Sequence, residues 1–128
     1  MNVVDSCGWI EYFAGGPNAG RYAKALEETG SLVVPTICLY EVFGLLLRQR
    51  GRSDALEAVA AMREAQIASL TDTLAMEAAT LAHAHKLPMA DSIILATARA
   101  FDATLWTQDE HFTSIPGVHY FPARPGRP

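Results

Sequence analysis

A chain of 128 residues, half of them apolar and 19% charged, has the length of one domain and enough apolar side chains for a core, which excludes extensive disorder. Its net charge of -4 excludes the sequence-wide basic footprint of a non-specific nucleic-acid binder, so a polyanionic substrate would need another source of positive charge. No apolar run approaches the ~18 residues of a membrane-spanning helix and the N-terminus lacks a signal-peptide pattern, so the expected location is the cytoplasm.

Short runs of apolar and β-branched residues predict five strands, at Asn2–Val4, Ser31–Val34, Gln66–Leu70, Thr104–Thr107 and Val118–Phe121. Helical patterns fill the intervals. The first covers Cys7–Phe13 and stops at Ala14-Gly15-Gly16; the second starts near Pro17 and ends before Gly30. Thr36 opens a long helix to about Arg50, closed by Gly51, and Ser53 is positioned to cap the next, through Ala65. Thr71 or Asp72 caps a helix to about Lys86, Pro88 starts another that ends at Phe101, and a short helical turn follows Asp109. Strands separated by helices predict an α/β domain with a central, mainly parallel five-stranded sheet flanked by helices, because parallel neighbours need crossover connections. The domain is expected over residues 1–122, with 123–128 as a flexible, basic, proline-rich tail.

Cys7 and Cys38 form no CxxC pair and have no histidine at zinc-finger spacing, so they read as reduced, partly buried thiols. Arg48, Arg50 and Arg52 cluster at the end of a helix, where cations suit the dipole and are solvated. His83 and His85 are two apart and face different directions on a helix. "AGGPNAG" lacks the GK[ST] ending of a phosphate-binding loop.

Ligands of open α/β sheets bind beyond the carboxyl ends of the strands, which directs attention to four acids. Asp5 follows the first strand, Asp109 follows the fourth, and Glu41 lies on the helix that leaves Val33-Val34. Asp91 begins a helix that feeds the fourth strand from its other end, so its place depends on packing. Asp5, Asp91 and Asp109 also fit the plain role of helix caps. Glu41 does not: Ile37 and Leu45 lie four residues away on either side, and no basic residue sits at helical spacing. Gathered carboxylates repel each other unless a cation neutralises them, and oxygen ligands favour Mg²⁺ or Mn²⁺ over zinc. Such an ion would let an acidic protein handle a phosphodiester.

"VVDSCGWIEYF", "PTICLYEVFGLLLR", "LPMADSIILATARA" and "TLWTQDEHF" resemble, in order and spacing, the four acidic motifs of PIN domains, and most of all those of the VapC toxins of VapBC toxin–antitoxin modules. The resemblance implies a Mg²⁺- or Mn²⁺-dependent endoribonuclease that cuts structured RNA such as tRNA or rRNA. It carries catalytic and metal-binding roles onto Asp5, Glu41, Asp91 and Asp109, with Ser6 and Thr107 as polar supports and Arg48 and His111 as candidate substrate contacts. It also implies a homodimer and a VapB-type antitoxin whose C-terminal segment covers the cleft, with Trp9, Tyr12 and Phe13 as either groove lining or core. Family members often have an arginine where this chain has Gln108, which puts one phosphate contact in doubt. Competing expectations are a housekeeping or DNA nuclease, a phosphoacceptor signalling domain, and a PIN fold that only binds RNA or a partner. The signalling reading lacks its lysine, since none follows Lys86.

Overall fold

Val3 and Val4 have no more than 1% of their surface exposed, and the strand that carries them lies at the centre of the molecule. In the computed structural model, which describes residues 1–125, this strand β1 (Asn2–Val4) leads into α1 (Ser6–Ala14), α2 (Ala19–Glu27), β2 (Val33–Pro35), α3 (Thr36–Arg50) and α4 (Arg52–Met62). Then follow β3 (Gln66–Ala68), α5 (Asp72–His85), α6 (Met89–Ala100), β4 (Thr104–Thr107) and β5 (Val118–Tyr120). All five predicted strands are present and every pairing is parallel. They form two ladders, β1-β4-β5 and β2-β3, joined by a parallel bridge between Asn2 and Leu32.

Some boundaries differ from the sequence reading. The second strand starts later, because Thr29–Ser31 makes a turn of 3-10 helix, and the third and fifth are shorter than predicted. Ser53 caps nothing: α4 starts at Arg52, directly after Gly51, whose φ of 93° turns the chain, with no side-chain cap. The helix after Thr71 behaves as predicted, with the Thr71 hydroxyl accepting the Leu74 N–H at 3.1 Å. The last three positions of the expected tail lie outside the described residues.

Helix α6 is buried on every side from Ser92 to Ala98, whereas α5, which packs along it, buries only Ala78. An all-round apolar helix of this kind belongs between layers. Helix α1 lies close to β1, since a Cβ on Gly8 would come 2.5 Å from Val4 Cγ1 and 2.6 Å from the Tyr22 ring. This close approach, together with the parallel strands, brings the ends of β1, β2 and β4 to one edge of the sheet. A helix that returns the chain to a parallel strand runs antiparallel to it. Helix α6 precedes β4, so its first turn lies at that same edge.

Candidate functional site

The four acids meet where this geometry puts them. Asp5, at the tip of β1, is 3% exposed and is held from three sides. Its Oδ1 accepts the Ser6 N–H at 2.7 Å, and its Oδ2 accepts the Thr107 hydroxyl at 2.8 Å and the Cys7 thiol at 3.3 Å. It is therefore both a helix cap and a member of the acidic cluster. Burial raises its pKa, an effect the three hydrogen bonds oppose and the nearby Asp109 reinforces.

Thr107, the last residue of β4 and itself fully buried, accepts the Asp109 N–H at 2.9 Å through the same hydroxyl that serves Asp5. Asp109 in turn caps a short turn of 3-10 helix at Glu110–Phe112, accepting the His111 N–H at 2.9 Å. The His111 ring then closes back: its Nδ1 lies 3.0 Å from Asp109 Oδ1 and 3.0 Å from Asp91 Oδ2. Across the cleft, Ser6 donates its hydroxyl to Glu41 Oε1 at 2.7 Å. One run of contacts thus links Glu41, Ser6, Asp5, Thr107, Asp109, His111 and Asp91.

The electrostatics of this group are unbalanced. Among the described residues no lysine or arginine stands within ion-pair distance of any of the four acids; the one basic side chain beside them is His111, which is a cation only when protonated. Burial pushes the Asp91 carboxyl up to about 7, and the charges of Asp109 and Asp5 push in the same direction. The charge of Asp109 raises the pKa of His111, an exposed ring. Ligand atoms of Asp91, Asp109 and His111 all lie within 4.8 Å of one another, a spacing that one divalent cation can bridge. Hard oxygen donors with an unneutralised negative charge suit Mg²⁺ or Mn²⁺, so the residues present fit the ion expected from the sequence.

Beside the acids, a groove of about 780 Å³ runs between α1 and α3. Ser6 and Glu41 stand at its acidic end, with Gln108; Ile10, Phe43 and Leu47 form apolar wall, and Arg48 also lines it. Arg48, Arg50 and Arg52 are all exposed, as expected of a solvated helix end. Trp9 does not line this groove: it is 3% exposed and packs in the core, with Phe13 stacked 5.7 Å away. Cys7 is partly buried and Cys38 buried, and both are free thiols; burial and the Asp5 charge push Cys7 up to about 12, which keeps it protonated.

Sequence reasoning put Asp5 and Asp109 just beyond the first and fourth strands and Glu41 on the helix that follows the second, and each stands there; Ser6 and Thr107 came only with the resemblance. It left Asp91 to packing, and packing brings it in. It read His111 only as a possible substrate contact or an exposed helix start, whereas its ring lies between two acids. The signal was available in the D-x-H spacing, because a capping aspartate folds the chain back onto residue i+2. It missed Asn18 and Glu11, whose side chains brace the groove's acidic end; the Asn18 N–H donates to Glu11 Oε2 at 2.7 Å. Nothing local in "AGGPNAG" indicates that contact.

Comparison with known proteins agrees with this architecture. No curated protein matches the chain. Among solved structures it is similar to a toxin–antitoxin complex from Klebsiella pneumoniae, at 24% identity and a TM-score of 0.79, covering 93% of this chain and 96% of that one. It is also similar to VapC20 of Mycobacterium tuberculosis, described as a sarcin–ricin loop cleaving toxin, at 20% identity and a TM-score of 0.74, covering 91% and 95%. A third is VapBC2 from Rickettsia felis bound to a promoter DNA fragment, at 13% identity and a TM-score of 0.73, covering 96% and 98%. The PIN domain family model matches residues 3–118, nearly the whole of the described chain, and with it the parallel sheet and the acidic edge: the chain belongs to the PIN domain family.

Proposed function

We propose that this chain is a VapC-like toxin, a metal-dependent endoribonuclease that hydrolyses phosphodiester bonds in cellular RNA such as tRNA or rRNA. The observation that carries the reading is the contact chain from Glu41 through Asp5 and Asp109 to Asp91, which gathers four acids with, among the described residues, no lysine or arginine to neutralise them. Such a cluster is costly unless a cation occupies it, and a polyanion cannot approach until one does.

In this reading Asp5, Asp91 and Asp109 hold Mg²⁺ or Mn²⁺, with Glu41 completing the set. The ion, when bound, supplies positive charge to the phosphate oxygens and acidifies water. The protein's own part is orientation. Ser6 N–H and the Thr107 hydroxyl leave the Asp5 carboxylate no freedom to rotate, and Thr107 ties Asp109 to the same point. Ser6 draws the Glu41 carboxylate toward the other acids. His111 balances Asp91 and Asp109 while no divalent ion is present and, being exposed, is free to turn toward substrate.

A VapB-type antitoxin completes the proposal. The α1–α3 groove is largely apolar, opens beside the acids, and carries Leu47 and Tyr40 exposed at 42% and 77% on its walls, which suits a partner segment that covers the cleft. A homodimer in the cytoplasm is the expected working form. The test is incubation of total cellular RNA with antitoxin-free protein and with Asp5→Ala, each in Mg²⁺, in Mn²⁺ and in EDTA. Discrete fragments from the wild type in metal alone are the expected result. Absence of cleavage by folded wild type in either metal overturns the reading.

A further inference from the structure

Gln108 stands between Thr107 and Asp109, the two residues that tie β4 to the acids, and it lines the groove at that end. Its side chain is not free to choose an orientation. Asn18, fully buried, donates from Nδ2 to the Gln108 Oε1 at 3.0 Å and to the Pro122 carbonyl at 3.1 Å. A peptide carbonyl only accepts, which makes the shared atom of Asn18 its nitrogen and the facing atom of Gln108 its oxygen. The Tyr22 hydroxyl, on a fully buried ring, donates to the same oxygen at 3.4 Å. Two buried groups from α2 and the loop before it therefore require an acceptor at position 108.

What remains is the amide nitrogen. Gln108 Nε2 has no hydrogen-bond partner among the described residues, and it is not one of the buried unpaired atoms, so it reaches solvent. The other small donors at the groove's acidic end are spent: the Ser6 hydroxyl on Glu41 and the Cys7 thiol on Asp5. Glu11 and Glu41 line the groove with Gln108, and Asp109 follows it in the chain, so a strand lying there needs a donor that does not itself pair with the acids. An amide is such a donor. A guanidinium would be drawn into ion pairs with these carboxylates and compete with a divalent cation for them.

We propose that Gln108 is a positioning residue for RNA, its locked side-chain amide donating to a non-bridging phosphate oxygen of the strand beside the four acids. This rests on the nuclease reading above. A hydrogen bond from a fixed donor to an anionic oxygen is made in the ground state as in the transition state, so its loss weakens substrate binding more than turnover.

The test uses the antitoxin-free full chain, in wild-type, Gln108→Met and Gln108→Glu forms, and a labelled RNA fragment spanning a site cut in total RNA. Binding is read by fluorescence anisotropy with Ca²⁺ in place of Mg²⁺, and KM and kcat are read in Mg²⁺. The methionine variant, which keeps the length and loses the N–H, is expected to raise Kd and KM about tenfold with kcat nearly unchanged. Gln108→Glu keeps the oxygen that Asn18 and Tyr22 need and turns the donor into a negative charge, so it is expected to bind worse still. It also carries the test should the methionine variant fold poorly. Wild-type Kd and KM in both variants, with or without a lowered melting temperature, overturn the proposal and leave the nuclease reading standing. So does a glutamate variant that binds RNA better than the methionine variant, since the facing group would then be a donor. A wild type that neither binds nor cuts RNA overturns both.

Discussion

The Thr107 hydroxyl donates to Asp5 Oδ2 at 2.8 Å while accepting the Asp109 N–H at 2.9 Å, so one buried oxygen aligns acids that are 104 residues apart in the chain. Replacing it with the isosteric valine, Thr107→Val, leaves a buried carboxylate short of one donor and a backbone N–H without its acceptor. Stability is expected to fall by about 1–3 kcal/mol, read from urea midpoints, and metal-dependent RNA cleavage to fall by about tenfold or more. Retention of both values would show that the Ser6 N–H and the Cys7 thiol suffice to hold Asp5.

The metal-free fold is expected to lose stability as pH rises. The folded-state pKa values of Asp91, at about 7, and of Asp5 lie above the ordinary carboxylate value of 3.8, so the native state binds more protons than the unfolded chain between those limits. The stabilisation is complete below that ordinary value and is lost progressively as pH climbs to about 7; His111, also raised, acts with the same sign. In EDTA the melting temperature should be higher at about pH 5 than at about pH 8, and saturating Mg²⁺ should narrow the gap by binding the ionised acids. An equal pH dependence with and without Mg²⁺ would argue against an ion at these carboxylates.

Glu41 separates function from folding. It is half-buried on α3 and, among the described residues, its side chain makes one hydrogen bond, from the Ser6 hydroxyl. Glu41→Ala removes one charge from a cluster that repels itself, so the melting temperature is expected to hold or rise, with a stability change within about 0.5 kcal/mol. RNA cleavage should nevertheless fall by at least about tenfold. A large loss of stability would make Glu41 a structural residue instead.

Gly8 is where α1 meets the sheet. Because an added Cβ would lie 2.5 Å from Val4 Cγ1 and 2.6 Å from the Tyr22 ring, Gly8→Ala must push α1 off β1 or displace Tyr22. Destabilisation of about 1–3 kcal/mol is expected by chemical denaturation. Cleavage per folded molecule should fall as well, since the shift carries Ser6 and Cys7 with it; unchanged activity would show that the Asp5 end of α1 is anchored independently.

The amino-acid sequence by itself determined the element order and named most of the candidate site. Strand ends are legible because apolar runs give way to a polar residue at a defined register, and Asp5, Thr107 and Asp109 stand at such ends. Glu41 was visible as an acid among apolar helical neighbours with no cation in reach. The order of motifs pointed to the PIN family, and the family model bears that out over residues 3–118. Local capping, by contrast, misled at Ser53, because the φ of Gly51 already sets the start of α4 without help from a side chain.

Only the tertiary structure decided the rest. Asp91 joins the other acids because α6 runs antiparallel to the parallel strands, a relation set by crossover packing and not by any residue near Asp91. His111 enters because Asp109 caps a tight turn whose ring folds back over Asp91, and Gln108 acquires an orientation from Asn18, 90 residues away. Sequence periodicity reports the face on which a residue lies within its own element. Which faces meet depends on how whole elements pack, a sum of burial and hydrogen bonding spread over the entire chain.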